Sequence, residues 1–307
     1  NICNMARGTK RVNKNQNVKV QGNKVKKKSK YFGKTQNNRA KRTVKHLGKQ
    51  ALLGRGKERK NVSKLEALSA LNRSNTSFNS QVFGKRLTRD FFDTPTESLA
   101  LALLGKVLCR KTKQGDVLCG TIIETEAYLG EIDPACHSYG GKRTARNAPM
   151  YGPPGTAYVY FIYGMYHCFN ISSKEPGACV LIRALEPLAG LTKMRLLRDA
   201  RRKETSKPLK DHDLTNGPSK LCTALDITKN KLNNTDMAIS KQFWIEDNSL
   251  NESKEFSVVH TTRIGINSYG EEAAQKLYRY YILGNKHVSI RNKDAEKDAE
   301  KDAALTM

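Results

Sequence analysis

The segment AYVYFIYGMYHCFNIS, residues 157–172, consists of two β-rich runs around a central glycine. The runs Ala157–Tyr163 and Tyr166–Ser172 are rich in aromatic and β-branched residues, and Gly164-Met165 lies between them. This pattern predicts two antiparallel strands joined by a tight turn. The fold is therefore expected to contain an antiparallel sheet with this hairpin as one of its parts.

Outside the hairpin, strand patterns and helix patterns follow one another irregularly. Strand patterns occur at 107–111, 117–125, 179–185, 243–246, 258–264 and 288–290, and helix patterns at about 95–104, at 191–203 and from residue 218 onward. The helices are interspersed with hairpins, without regular strand–helix–strand repeats. The sequence therefore predicts an α+β class around an antiparallel sheet.

Charge and composition divide the chain into three parts. Residues 1–60 contain 20 Lys or Arg and one acidic residue, which gives +19 of the formal net charge of +26. Because so polar a segment cannot bury enough apolar area to offset its ordering entropy, residues 1–85 are predicted to form a basic disordered arm and linker. Residues 86–292 are the predicted folded domain. Residues 293–307 repeat KDAE, KDAE and KDAA, which predicts a charged, low-complexity, disordered tail with at most transient helical structure.

The composition leaves two interpretations of the arm and argues against several classes of protein. The arm either binds a partner with many phosphates or is a solubilising or targeting tail. No stretch approaches the roughly 18 apolar residues that span a bilayer, and the N-terminus lacks the apolar core of a secretory signal. Seven scattered cysteines form no CxxC pair, which argues for a reducing compartment, and six dispersed histidines give no zinc-binding spacing. We therefore expect no membrane association and no metal site.

Two carboxylates lie close together in the segment TIIETEAY, residues 121–128. Glu124 and Glu126 are at positions i and i+2, so on a strand they project from the same face, about 7 Å apart. Such a pair suits general acid–base catalysis, whereas a solvated strand end is the structural alternative. Arg183 lies in the apolar run 180–185, where a buried guanidinium needs a carboxylate partner such as Glu124 or Glu126. A purely structural salt bridge is the alternative for Arg183.

The hairpin itself offers candidate ligand-binding side chains. Alternation along its first run places Tyr160 on the face opposite Val159, so Tyr160 can stack on a planar ligand if Val159 faces the core. The turn exposes Tyr163, Met165 and Tyr166 together. An exposed apolar tip is typical of a wedge that enters the minor groove of DNA. The structural alternative is that these aromatic side chains fill the core.

Three further positions are weak signals when taken alone. His137 and Asn170 are isolated polar residues, and a lone histidine is more often structural than functional. Gly217, Ser219 and Lys220 open a predicted helix, where free backbone amides can hold a phosphate. Ordinary N-terminal capping explains the same residues equally well.

Taken together, these segments resemble the alkyladenine (3-methyladenine) DNA glycosylase family. Six matching stretches carry the resemblance: RLTRDFFD (86–93), ETEAYLG (124–130), HSYGGKRTARN (137–147), PPGTAYVYFIYGMYHCFNIS (153–172), LIRALEP (181–187) and NGPSKLC (216–222). A weaker match continues through 263–290. A single stretch of this length is a weak signal, but six in the expected order are highly specific.

The resemblance implies a single domain around a curved antiparallel sheet, with a protruding hairpin that intercalates into DNA. It implies a DNA-3-methyladenine glycosylase, which flips alkylated or deaminated purines of the 3-methyladenine, hypoxanthine and ethenoadenine type out of duplex DNA. Hydrolysis of the N-glycosidic bond then leaves an abasic site, without a lyase step and without a cofactor. A monomer in the nucleus is expected, with the mitochondrion as a second compartment. The arm is expected to add salt-sensitive DNA affinity, with Lys26-Lys27-Lys28 as a candidate nuclear-import element.

The resemblance also assigns roles to residues of the central strands. Glu126 corresponds to the general base that activates a water, and Arg183 to the residue that helps hold this water. Tyr128, His137 and Tyr160 match the pocket that surrounds the flipped base.

Further roles follow for the hairpin. Tyr163 matches the side chain that enters the gap left in the double helix, with Met165 and Tyr166 beside it. Asn170 matches the residue that helps exclude the 2-amino group of guanine.

Two other functions remain open from the sequence. A non-catalytic nucleic-acid-binding module on the same fold predicts that Glu126→Gln leaves every activity unchanged. A glycoside hydrolase that uses Glu124 and Glu126 predicts action on sugars without DNA. The positive charge and the aromatic hairpin both favour a DNA substrate over a free sugar.

Overall fold

The structure is a computed structural model that describes residues 84–203, 205–248 and 255–306. The predicted arm and linker, residues 1–85, lie almost entirely outside the described residues. The described strands are β1 (Val107–Lys111), β2 (Val117–Tyr128), β3 (Ala157–Ile162), β4 (Tyr166–Ser172), β5 (Cys179–Ala189), β6 (Phe243–Glu246), β7 (Val258–Thr261) and β8 (Arg279–Ile282). The described helices are α1 (Arg89–Phe92), α2 (Thr96–Ala102), α3 (Leu191–Asp199), α4 (Pro218–Ala224), α5 (Lys229–Leu232), α6 (Glu271–Gln275) and α7 (Lys293–Thr306).

Strand β2 is the centre of a curved sheet that contains all eight described strands. It pairs with β5 along one edge, while β1 and β8 share its other edge. Strands β3 and β4 form the predicted hairpin, and every strand pair is antiparallel. The predicted α+β class and antiparallel sheet are thus confirmed. The pairing of β2 with β5 is irregular around Glu124, and such bulges re-aim side chains next to active sites.

The hydrophobic core lies between the sheet and helices α2 to α4. Leu99 of α2, Ile122 of β2, Phe169 of β4 and Leu221 of α4 belong to one fully buried cluster. Burial of each such side chain contributes about 1.5–3 kcal/mol. This core fixes β2, β4 and β5, the strands that carry Glu126, Tyr128, Asn170 and Arg183.

The predicted strand at 288–290 is wrong. Residues 283–290 form turns and bends, and the strand of this region is β8, which pairs with β2 and β7 and which the sequence analysis missed. The backbone N–H of Ser289 donates to the carboxylate of Glu124 at 2.7 Å rather than to a neighbouring strand. Strand β8 carries Arg279 within an apolar run. The buried guanidinium of Arg279 donates to Glu124 at 3.0 Å. Because Glu124 is far away in the sequence, the local pattern does not reveal this partner.

The expectation of a disordered C-terminal tail is also wrong, because residues 293–306 form helix α7. Alanine at every fourth position gives the helix one apolar stripe, and Ala295 and Ala299 pack against a cluster that includes Tyr281. The side chain of Asn292 accepts backbone N–H groups of the first turn, as an N-cap residue does. Glu296 is buried and accepts hydrogen bonds from Tyr281 and from the guanidinium of Arg291.

The described ranges were also compared with the expectations on membrane spans, cysteines and metal sites. No helix there is long and apolar enough to cross a membrane. Six cysteines in these ranges, at positions 109, 119, 136, 168, 179 and 222, are buried and free. No group of three or more His, Cys, Asp or Glu side chains in the described ranges has the geometry of a metal site.

Candidate active site

A cavity of about 650 Å³ opens between strand β2, the β3–β4 hairpin and residues 264–269. Small-molecule sites typically have volumes of about 300–1,000 Å³, so the cavity can admit a single nucleoside. Several side chains predicted from the sequence line it together: Glu126, Tyr128, His137, Tyr160, Tyr163, Asn170, Arg183 and Ser219. The fold thus gathers into one wall residues that are up to 93 positions apart in the chain.

Glu126 is the only carboxylate among the described residues that lines this cavity. Its side chain is fully buried within the protein. One carboxylate oxygen accepts the backbone N–H of Ile264 at 2.7 Å and contacts Arg183 Nη1 at 3.1 Å, and the other accepts the Tyr128 hydroxyl at 2.9 Å. A carboxylate has about four acceptor directions. Three donors therefore leave Glu126 one direction for a water in the cavity.

Glu124, two residues earlier on the same strand, has a different environment. It does not line the cavity, and its oxygens accept from Arg183 Nε at 2.9 Å, from Arg279 at 3.0 Å and from both the hydroxyl and the backbone N–H of Ser289. Glu124 therefore accepts four hydrogen bonds from groups of the protein, three of them on one oxygen. A glycoside hydrolase with Glu124 and Glu126 both facing a sugar does not fit this geometry.

Arg183 bridges the two carboxylates, so both of its candidate partners are real. Burial alone would lower the pKa of Arg183, but Glu126 and Glu124 outweigh it, and the pKa is raised above its ordinary value. The guanidinium is therefore permanently charged. Because Arg183 also lines the cavity, it is at once an ion-pair partner of Glu126 and a group that a ligand can contact.

Tyr128 is held in place by a buried ion pair. The guanidinium carbon of Arg263 lies 4.7 Å from the centre of the Tyr128 ring, and Arg263 forms a two-pronged ion pair with Asp133. Burial is the main reason why the pKa of the Tyr128 hydroxyl is raised well above its usual value, with Glu126 adding to it. Tyr128 therefore remains a neutral hydrogen-bond donor to Glu126.

His137 and Tyr160 form another part of the cavity wall. The two rings meet edge to face, with centroids 4.8 Å apart, and Nδ1 of His137 lies 2.8 Å from the hydroxyl of Tyr158. Arg146 lies over the ring of Tyr160 at 5.3 Å. Burial, together with the positive charges of Arg146 and Lys142, lowers the pKa of His137 to about 4. The imidazole is therefore neutral and offers one donor and one acceptor.

Asn170 lies on β4 at the floor of the cavity and is almost fully buried. Its amide nitrogen donates to the backbone carbonyl of Tyr158 at 3.1 Å, and its amide oxygen lies 3.8 Å from the thiol of Cys179. These contacts fix the amide in one orientation, so it presents a rigid polar edge to whatever enters the cavity.

The hairpin tip is exposed, as predicted. The Tyr163 side chain is 86% exposed, and Met165 and Tyr166 are exposed beside it. Tyr163 has a φ of 49°, a left-handed conformation that is uncommon for a bulky residue and clusters at functional sites. The alternative that the aromatic side chains fill the core therefore does not hold for Tyr163 and Tyr166.

Sequence comparisons identify the family. The profile described as methylpurine-DNA glycosylase matches residues 90–286. The chain belongs to the methylpurine-DNA glycosylase family. It is 51% identical over 213 residues to the DNA-3-methyladenine glycosylase of Homo sapiens, which covers 69% of this chain and 70% of the human protein.

Two other family members delimit the shared part. The mouse DNA-3-methyladenine glycosylase is 50% identical over 213 residues, covering 69% of this chain and 63% of the mouse protein. The putative 3-methyladenine DNA glycosylase of Clostridium perfringens is 49% identical over 206 residues, which are 66% of this chain and 98% of the bacterial protein. The region shared with the family therefore accounts for nearly the whole bacterial relative, whereas the chain spans less than two thirds of the mouse protein.

Four predicted residues of this family member lie outside the cavity wall. Met165 and Tyr166 belong to the exposed tip, while Gly217 and Lys220 flank the cavity residue Ser219. The amine of Lys220 donates to the Asn216 side chain at 2.8 Å, and burial lowers the pKa of Lys220. Phosphate binding at this helix start stays a prediction.

The sequence analysis missed several residues that support the site. Ile264, Arg279 and Ser289 donate hydrogen bonds to the two carboxylates, and Arg263 braces Tyr128. The signal used for Arg183, an arginine inside an apolar run, is also present around Arg279 and points to a buried charge. A backbone donor such as Ile264 leaves no signal of its own in the sequence.

The lowered pKa of His137 predicts how stability depends on pH. In the unfolded chain the imidazole takes up a proton near pH 6.5, and in the folded protein only near pH 4. The stabilising contribution is therefore complete above pH 6.5 and is lost as the pH falls toward 4. We expect wild type to lose more of its free energy of unfolding across this window than His137→Gln, measured by urea unfolding. A His260→Gln control should follow wild type, and equal pH dependence in wild type and His137→Gln would contradict the prediction.

Proposed function

We propose that this protein is a DNA repair glycosylase that flips alkylated or deaminated purines out of duplex DNA and hydrolyses the N-glycosidic bond. The observation that carries the proposal is the position of Glu126. It lines a nucleoside-sized cavity beside Arg183, and His137 and the exposed Tyr163 of the hairpin tip line the same cavity. Family membership and the names of the relatives support an alkylpurine substrate.

The chemistry follows from the groups that surround Glu126. A water held by Glu126 gives its proton to the carboxylate while its oxygen attacks C1′ of the sugar. The C1′–N bond breaks, and the purine leaves with the bonding electron pair. Positive charge develops on the sugar, and the neighbouring carboxylate stabilises it. A guanidinium has five N–H groups, so Arg183, which makes three contacts to side chains of the protein, can also donate to the water.

Two features favour a monofunctional enzyme with a stacking pocket. No lysine among the described residues lines the cavity, so the water activated by Glu126 is the nucleophile and no Schiff base forms. Since Arg263 covers one face of Tyr128, we place the flipped base between the other face and the rings of His137 and Tyr160. This pocket is proposed to accept 3-methyladenine, hypoxanthine and ethenoadenine.

Guanine exclusion is assigned to the amide of Asn170. Its orientation is fixed by the carbonyl of Tyr158, so it cannot rotate to accommodate an additional amino group. Nuclear localisation and a monomeric state stay predictions, as does the contribution of the arm to DNA affinity.

We propose that Tyr163 fills the gap that the flipped nucleotide leaves. Unstacking a base costs a few kcal/mol, so removal of the wedge in Tyr163→Ala should slow release from duplex DNA by about tenfold or more. Release from a single strand should change little, because no gap has to be filled. Single-turnover rates on both substrates provide the measurement. Tyr139→Ala, another exposed tyrosine, is the control, and equal slowing on both substrates would argue against a wedge.

The function is tested by incubating excess enzyme with a duplex that carries one hypoxanthine or one ethenoadenine. Methylated DNA tests release of 3-methyladenine in parallel. The expected product is a strand that is intact as formed and breaks at the lesion position only after alkali treatment, which identifies an abasic site. Strand cleavage without alkali would overturn the monofunctional assignment. Binding without release of any lesion would favour the non-catalytic binding module.

A further inference from the structure

A second layer of polar side chains lies behind the cavity wall. Its centre is Glu124, which is fully buried and accepts four hydrogen bonds from Arg183, Arg279 and Ser289. No step of the proposed reaction uses Glu124, Arg279 or Ser289. The family match ends at residue 286, so Ser289 lies beyond the matched region.

We propose that Glu124 is a positioning residue for Arg183, and that Ser289 holds Glu124 in its turn. This inference rests on the proposed function, because it concerns how the same site is oriented. The Nε–H of Arg183 donates to Glu124 at 2.9 Å, and this contact directs Nη1 toward Glu126 at 3.1 Å. Without Glu124 the guanidinium can turn about its side-chain torsions.

The Ser289 hydroxyl connects Glu124 to Arg183. It donates to Glu124 at 2.8 Å and lies 3.2 Å from Nη2 of Arg183, from which it accepts. The backbone N–H of Ser289 holds the other oxygen of Glu124 at 2.7 Å. A hydroxyl is a donor and an acceptor at once, so alanine loses both side-chain contacts while threonine keeps the group that makes them.

The segment that carries Ser289 is itself fixed. Arg279 donates to the carbonyl of Ile290 at 2.9 Å. The backbone N–H of Asn292 donates to the Tyr281 hydroxyl at 2.9 Å, and the side chain of Asn292 also caps helix α7. Helix α7 therefore anchors the turn from which Ser289 reaches Glu124, which gives the KDAE repeat a structural role.

Charge balance gives this proposal a second consequence. The buried cluster contains two carboxylates, Glu124 and Glu126, and two guanidiniums, Arg183 and Arg279. In Glu124→Gln only one negative charge faces both guanidiniums. Removal of a neighbouring negative charge favours the charged form of a carboxylate, so we expect the acid limb of the pH–rate profile at lower pH than in wild type.

The experiment compares single-turnover base release and DNA affinity for wild type, Ser289→Ala, Ser289→Thr and a surface control, Ser206→Ala. We expect Ser289→Ala to release base about tenfold more slowly, because small misplacements of a catalytic group have large rate effects. Its affinity for lesion DNA should be unchanged. Ser289→Thr should recover most of the rate, and Ser206→Ala, which alters an exposed residue, should match wild type. Glu124→Gln, measured across pH, provides a test that does not depend on how well Ser289→Ala folds.

Several outcomes would overturn the proposal. A wild-type rate in Ser289→Ala, or no recovery in Ser289→Thr, would show that the hydroxyl does not position the site. An unshifted acid limb in Glu124→Gln would show that its charge is not felt at Glu126. If Glu124→Gln lost as much rate as Glu126→Gln, Glu124 would be a catalytic residue and not a positioning residue. If wild type releases no base, the proposed function itself is overturned. If wild type is active and Ser289→Ala is equally active, only the positioning proposal is overturned.

Discussion

Replacement of Glu126 by glutamine is expected to slow base release by about 10²–10⁴-fold, the usual contribution of a general base. Glutamine has nearly the same shape, and its amide oxygen can still accept the backbone N–H of Ile264, which lies 2.7 Å from the carboxylate. It cannot take a proton from water. Affinity for lesion DNA should therefore stay within about threefold of wild type while the chemical step fails.

The measurement is single-turnover release from a hypoxanthine duplex, with affinity measured by fluorescence anisotropy on the same duplex. Glu131→Gln is a matched control, because Glu131 is an exposed carboxylate outside the cavity wall. It should release base at the wild-type rate. If Glu126→Gln did so too, the water would not be activated by this carboxylate, and the assignment of the base would fail.

The local periodicity of the sequence was sufficient to predict the centre of the fold. The β3–β4 hairpin and the first half of β2 have strand-like residues with clear turns next to them, and both are present. Strand β8 was missed, and helix α7 was predicted to be a disordered tail. Arg279 of β8 has its carboxylate partner, Glu124, 155 positions away, and helix α7 packs on β8, where Tyr281 donates to Glu296.

The candidate site was predictable as a set of residues but not as an arrangement. Glu124 and Glu126 have the same residue type, strand and face, so nothing local distinguishes them. The difference arises from donors that are distant in sequence. Ile264 lies 138 positions from Glu126, and Ser289 lies 165 positions from Glu124. Only the folded chain shows that one carboxylate lines the cavity while the other accepts four hydrogen bonds outside the cavity lining.

Replacement of Arg183 by methionine is expected to lower the free energy of unfolding by about 3–5 kcal/mol, the usual cost of removing one partner from a buried ion pair. Methionine fills a similar volume but leaves Glu124 with one guanidinium and Glu126 with none, and both carboxylates remain fully buried. Urea unfolding at neutral pH measures the loss. The control is Arg195→Met, whose ion pair with Asp211 is exposed and should cost less than about 1 kcal/mol.

The destabilisation of Arg183→Met should depend on pH in a specific direction. Its cause is negative charge without a partner, so protonation of the carboxylates removes the cause. The difference in unfolding free energy between Arg183→Met and wild type should therefore narrow as the pH falls. For the same reason, Arg183→Met combined with Glu124→Gln should be less destabilised than the sum of the two single variants. If the loss of unfolding free energy were constant with pH and additive with that of Glu124→Gln, Arg183 would stabilise the fold through packing and not through its charge.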